Sequence, residues 1–82
     1  MFYAYILNSD KDHKTLYYGF TADLKSRLRA HNNGQNVSTR AMRPWKLAWY
    51  GAFDTEEAAR AFERYLKSAS GKAFARKRLL RD

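Results

Sequence analysis

The sequence predicts an α+β fold: a small three-stranded antiparallel sheet flanked by helices, in the order β-β-α-β-α-α. Three observations carry this reading. Two short runs of aromatic and aliphatic residues open the chain, a third lies in its middle, and helical periodicity gathers towards its end. With 82 residues, 45% hydrophobic and 16% aromatic, the chain can build one core, so residues 1–82 are expected to form a single domain.

Residues 2–8 and 15–20 are rich in β-formers, and Asn8-Ser9-Asp10-Lys11-Asp12 between them is turn material, which predicts a hairpin. His13 falls in that turn and is expected at the surface. Thr21 is positioned to cap a helix over Ala22 to Asn33, with Asp23 in its first turn and Gly34 just past its end. Its few apolar positions, Leu24 and Leu28, predict a narrow packing stripe. Residues 34–44 read as a polar loop ending at the only proline, and such a loop in a small domain is more often functional than idle. Trp45 to Phe53 reads as the third strand. Asp54 and Glu57 suggest a capping box for the next helix, whose apolar face is Ala58, Ala61, Phe62, Tyr65 and Leu66. Ser70-Gly71 then interrupts the pattern, and a short basic helix carrying Phe74, Leu79 and Leu80 closes the chain.

Sixteen Lys plus Arg against eight Asp plus Glu give a net charge of +8, which points to a polyanionic partner, most simply nucleic acid. A membrane surface would want a helix with a broad free apolar face, and none is evident. The absence of cysteine excludes disulfides and thiolate metal sites and fits a reducing cytoplasm. The apolar stretch Ala4 to Leu7 is too short for a signal peptide or a membrane span.

Strand alternation puts Tyr3, Tyr5 and Leu7 on one face, and Tyr17 with Thr15 and Gly19 on one face of the second strand. Paired as a hairpin, these strands can bring Tyr5 and Tyr17 together, with Gly19 leaving space for a ligand or a close backbone approach. Tyrosine is also an ordinary strand residue, so packing alone is the competing explanation. Arg27 and His31, four apart, share a helix face. An arginine can fork onto a phosphate, and a histidine can relay a proton or donate to an oxyanion; a solvated basic face is the alternative. Glu63, at the edge of its helix stripe, can give one oxygen to Mg²⁺ or Mn²⁺, or pair with Lys67 one turn on. No carboxylate cluster suggests a two-metal site, and there is no Gly-rich phosphate loop.

Together these residues resemble the GIY-YIG nuclease superfamily, in particular its small stand-alone bacterial members and the N-terminal domain of excision-repair nucleases. The first signature corresponds to Tyr3-Ala4-Tyr5, matching at its final tyrosine, and the second to Tyr17-Tyr18-Gly19. Arg27 stands eight residues past Gly19, and His31 lies four further. The segments His31-Asn32-Asn33-Gly34, Ser38-Thr39, Arg43-Pro44-Trp45-Lys46-Leu47 and Glu63-Arg64-Tyr65-Leu66-Lys67 are similar too. Larger relatives also order the site with a late asparagine, and none follows Asn36 here.

The resemblance implies a metal-dependent DNA endonuclease, in DNA repair or recombination. Its site would comprise Tyr5, Tyr17, Arg27, His31 and Glu63, with Glu63 holding Mg²⁺ or Mn²⁺ and one of the two tyrosines activating water. Either tyrosine can be the base at this level. Branched or damaged DNA is the expected substrate, with a protein partner as one source of specificity. Arg40 and Arg43 in the loop, and Lys72, Arg76, Lys77, Arg78 and Arg81 near the end, are placed to track phosphates. The alternative is a nucleic-acid-binding module that keeps the fold with little or no cleavage.

Overall fold

Alternation in the first two segments is realised as a hairpin inside a three-stranded sheet. In the computed structural model, which describes residues 1–80, β1 (Phe2–Ser9) pairs antiparallel with β2 (Leu16–Thr21) and with β3 (Trp45–Phe53), giving the order β2-β1-β3. Tyr5 lies opposite Gly19 on one side and Tyr50 on the other. A bulge follows: Ile6 faces Trp49 but Leu7 faces Leu47, leaving Ala48 as the extra residue. Side-chain oxygens hold the hairpin turn. Ser9 Oγ accepts from the Lys11 and Asp12 amides at 3.1 Å each, and the Asp12 carboxylate accepts from the Lys14 amide and the Thr15 hydroxyl.

Both faces of the sheet are covered, as an α+β sheet requires when each face carries apolar residues. On the face bearing Tyr5, Leu7 and Tyr17, helix α1 (Leu24–Asn32) packs Leu24 and Leu28 against the buried cluster of Tyr5, Leu7 and Trp45, which Met42 and Leu47 also cover. On the opposite face, α2 (Glu56–Lys67) and the turn after α3 (Ala69–Phe74) bring Leu66 and Ala75 into one cluster with Ile6 and Tyr18, with Trp49 and Phe62 packed against it. A 3-10 turn (Arg40–Met42) lies within the long loop, and a π-helical turn (Ala75–Leu79) follows α3. Among the described residues no helix is long and apolar enough to cross a membrane.

The helix ends depart from the sequence expectations for local reasons. Asp23, not Thr21, caps α1, its carboxylate accepting from the Ser26 amide at 3.1 Å; Thr21 is buried and its hydroxyl bonds the Asp23 backbone. Gly34 follows α1 as expected, at φ +78, where a side chain would be strained. Thr55 caps α2 by accepting from the Ala58 amide at 3.1 Å, replacing the Asp54–Glu57 box. The buried residues of α2 are Ala59 and Leu66, with Phe62 partly buried, while Ala58 and Ala61 are exposed and Tyr65 is largely so. The break between the last helices falls at Ser68 rather than Ser70-Gly71: Ser68 ends α2 and caps α3 by accepting from the Gly71 amide at 3.0 Å. Arg81 lies outside the described residues.

Candidate active site

Gly19 decides where the Tyr5 side chain goes. A Cβ at Gly19 would fall inside the Tyr5 ring and hydroxyl, so the space the glycine leaves is taken by Tyr5 itself rather than by a ligand. The ring crosses to β2 and its hydroxyl meets His31 Nε2 at 3.0 Å, with Tyr5 1% exposed and His31 fully buried. His31 Nδ1 in turn lies 2.8 Å from Thr39 Oγ1. The Thr39 hydroxyl also points at the Asn36 carbonyl, at 3.4 Å. With that hydroxyl donating to Asn36, His31 donates from Nδ1 and accepts at Nε2 from the Tyr5 phenol. The chain Tyr5–His31–Thr39 thus ties β1, α1 and the 34–44 loop together through the core.

The same helix face divides in two. Arg27 is exposed while His31, four residues on, is sealed, so the expectation of a uniformly solvated basic face fails at His31. Burial is the main cause that pushes the His31 imidazole below its ordinary pKa of 6.5, with the Arg27 charge adding to it. Burial likewise pushes the Tyr5 phenol well above its ordinary range. Tyr17 and Glu63 add to that rise and Arg27 opposes it. Tyr5 is therefore a fixed neutral phenol, and His31 a neutral imidazole with both nitrogens engaged.

Tyr17 stands on the same sheet face, half-buried, its ring 6.4 Å from that of Tyr5 and edge-on to the imidazole at 4.9 Å. Arg27 and Glu63 both act on the Tyr5 phenol through their charges. Glu63 comes from α2, its side chain 15% exposed and ion-paired to Lys67, which is 54% exposed. Of the two readings of Glu63, the pair with Lys67 is the one present.

Three supporting residues were not foreseen as parts of the site. Thr39 fixes the histidine, and the Trp45 indole N–H donates to the Thr39 carbonyl at 2.8 Å. Asn32 clamps the Trp45 backbone both ways, accepting from its amide at 2.6 Å and donating to its carbonyl at 2.9 Å. Their only sequence signal was membership of segments similar to the superfamily. The remaining predicted residues are dispersed. Arg40, Arg43, Lys72, Arg76, Lys77 and Arg78 are all exposed. Arg43 lies against Gly34, where a Cβ would strike its guanidinium, and Lys72 sits 5.9 Å over the Tyr18 ring. Arg76 lines a groove on the other face of the sheet.

The candidate site thus combines strand phenols and a buried imidazole with an arginine and a carboxylate whose charges act on Tyr5. Residues 1–78 match the GIY-YIG catalytic domain, and the chain belongs to that family. It is 44% identical over 66 residues to UPF0213 proteins of Streptococcus pyogenes serotypes M5, M28 and M1, matches that cover 79% of this chain and 70% of each relative.

Proposed function

We propose that this protein is a metal-dependent DNA endonuclease that hydrolyses phosphodiester bonds in DNA repair or recombination. The observation that carries this reading is the division of labour between the phenols: Tyr5 is locked to His31 in the core, while Tyr17 lies half-open beside it. Tyr17 is the tyrosine that orients the attacking water; to act as the base it first gives its own proton to solvent, and its phenolate then takes the water's proton as the new P–O bond forms and the bond to the leaving oxygen breaks. Tyr5 and His31 hold Tyr17 in place from beneath. Arg27, exposed at the rim, clamps the phosphate and balances the charge that develops on it. His31 serves as a buried positioning group, since both its nitrogens are already bonded.

Among the described residues no three His, Cys, Asp or Glu side chains cluster, and Glu63 is the carboxylate whose charge acts on the Tyr5 phenol. A single hard oxygen fits Mg²⁺ or Mn²⁺, which retain water and take further oxygens from a substrate phosphate. When bound, the ion would supply Lewis-acid stabilisation of the phosphate and the leaving oxygen. The exposed cations of the loop and of the α3 region, Arg40, Arg43, Lys72, Lys77 and Arg78, supply contacts to the DNA backbone.

The test is nicking of duplex, single-stranded and branched DNA with Mg²⁺ or Mn²⁺. Wild type is expected to cut, and Tyr17→Phe, Arg27→Ala and Glu63→Ala each to lose about 10²-fold or more. Metal-independent binding without cleavage of any substrate would leave the binding-module reading instead.

A further inference from the structure

We infer that the sheet face turned away from Tyr5 and His31 carries a docking groove for an acidic protein segment anchored by an apolar side chain. The groove encloses about 720 Å³ between the hairpin turn, the start of β3 and the turn after α3. Its floor is aliphatic, built from Leu16, Leu79 and Leu80. Its rim is cationic: Lys14, Lys46 and Arg76 come from three separate parts of the chain and converge on it, with His13 beside Lys14.

Among the described residues little neutralises that rim. Lys46 meets Asp10 at 3.6 Å, but both side chains are exposed and such a pair contributes little. Asp12, the acid nearest in sequence to His13 and Lys14, is occupied by the Lys14 amide and the Thr15 hydroxyl. Among the described residues neither Lys14 nor Arg76 is ion-paired. A cationic border around an apolar floor is complementary to a ligand of the opposite design, carboxylates flanking an aliphatic or aromatic side chain. Nucleic acid fits less well. Bases are held by stacking on aromatic faces, and no Phe, Tyr or Trp lines the groove.

Position gives the groove its use. Leu16 and Tyr17 are consecutive residues pointing to opposite faces of β2, so groove and phenols lie back to back across an edge strand. A partner seated behind the sheet leaves Tyr17 and Arg27 open to substrate. The groove can therefore bring the domain to a protein that supplies selectivity while the site stays free.

The test uses the full chain and fluorescence anisotropy with three labelled probes: a short peptide alternating Glu and Leu, the same peptide with Ser for Leu, and a short thymidine oligonucleotide. The Glu-Leu peptide is expected to bind, weakening about ten-fold or more with the Ser peptide or in the Lys14→Glu/Arg76→Glu variant. Lys25→Glu/Arg29→Glu, an equal change of net charge on the opposite side of the sheet, is expected to leave peptide binding near wild type. Equal losses in both double variants would reduce the groove to a general charge effect and overturn the proposal. Loss confined to the oligonucleotide in the groove variant would overturn it in favour of a nucleic-acid track. Titrating the peptide into wild-type protein gives a readout free of folding artefacts: the methyl resonances of Leu16, Leu79 and Leu80 shift, and their failure to move would also overturn the proposal.

Discussion

At Gly19 one methyl group is enough to dismantle the buried network, because the Tyr5 ring fills the space a Cβ would take. Gly19→Ala is expected to cost about 1–3 kcal/mol by overpacking, read as a lower melting temperature, and to abolish nicking by displacing Tyr5 from His31. His31 gives the second prediction. Its folded pKa lies below 6.5, so the unfolded chain binds the extra proton first. The stability that neutral His31 carries is complete above about pH 6.5 and is lost as pH falls through the folded pKa. Thermal melts from pH 8 to pH 5 should show this decline, and His31→Gln should flatten it; an unchanged slope in the variant would show that another group governs the acid limb. The pairing of Tyr5 with Tyr17 was legible in strand alternation. The burial of His31 was not, because its helix neighbours are polar and only Thr39, eight residues on in a loop, completes its bonding.

Among the elements, the strands were the most legible: aromatic alternation marks all three, and their observed limits differ from expectation by a residue at most. Helix starts were less so, because Thr21, Asp23, Asp54 and Thr55 can all cap and backbone geometry selects among them. On α2 packing against the sheet takes Ala59 into the core and leaves Ala58 and Ala61 outward. The junction of α2 and α3 is sensitive to substitution at Gly71. A Cβ at Gly71 would collide with the Tyr65 carbonyl, and main chain cannot swing aside as a side chain does. Gly71→Ala should therefore destabilise by about 1–3 kcal/mol, whereas Ser68→Ala, which removes one cap, should cost about 1 kcal/mol in chemical denaturation. Equal effects would mean that the helices part to admit the methyl group.

For the whole molecule, a net charge of +8 makes affinity for DNA a function of ionic strength. The logarithm of the association constant should fall linearly with the logarithm of salt concentration. Replacing Arg40 and Lys72 with alanine should flatten that line by roughly 0.9 per lost phosphate contact, measured by filter binding on duplex DNA. An unchanged slope would take both side chains off the DNA path. The exposed cations were countable from the sequence, but not their distribution. Only the fold puts Arg76 beside His13 and Lys14, on the far side of the sheet from Arg27.

The indole of Trp45 is buried, donates to the Thr39 carbonyl, and lies with its ring 6.3 Å from Tyr17. This makes the tryptophan a native optical probe. Any ligand that lifts the 34–44 loop must break that bond and let water reach the indole, shifting its emission to longer wavelength. The same movement would release Thr39 from His31, so substrate engagement at the loop would be visible as a colour change originating beneath the phenols.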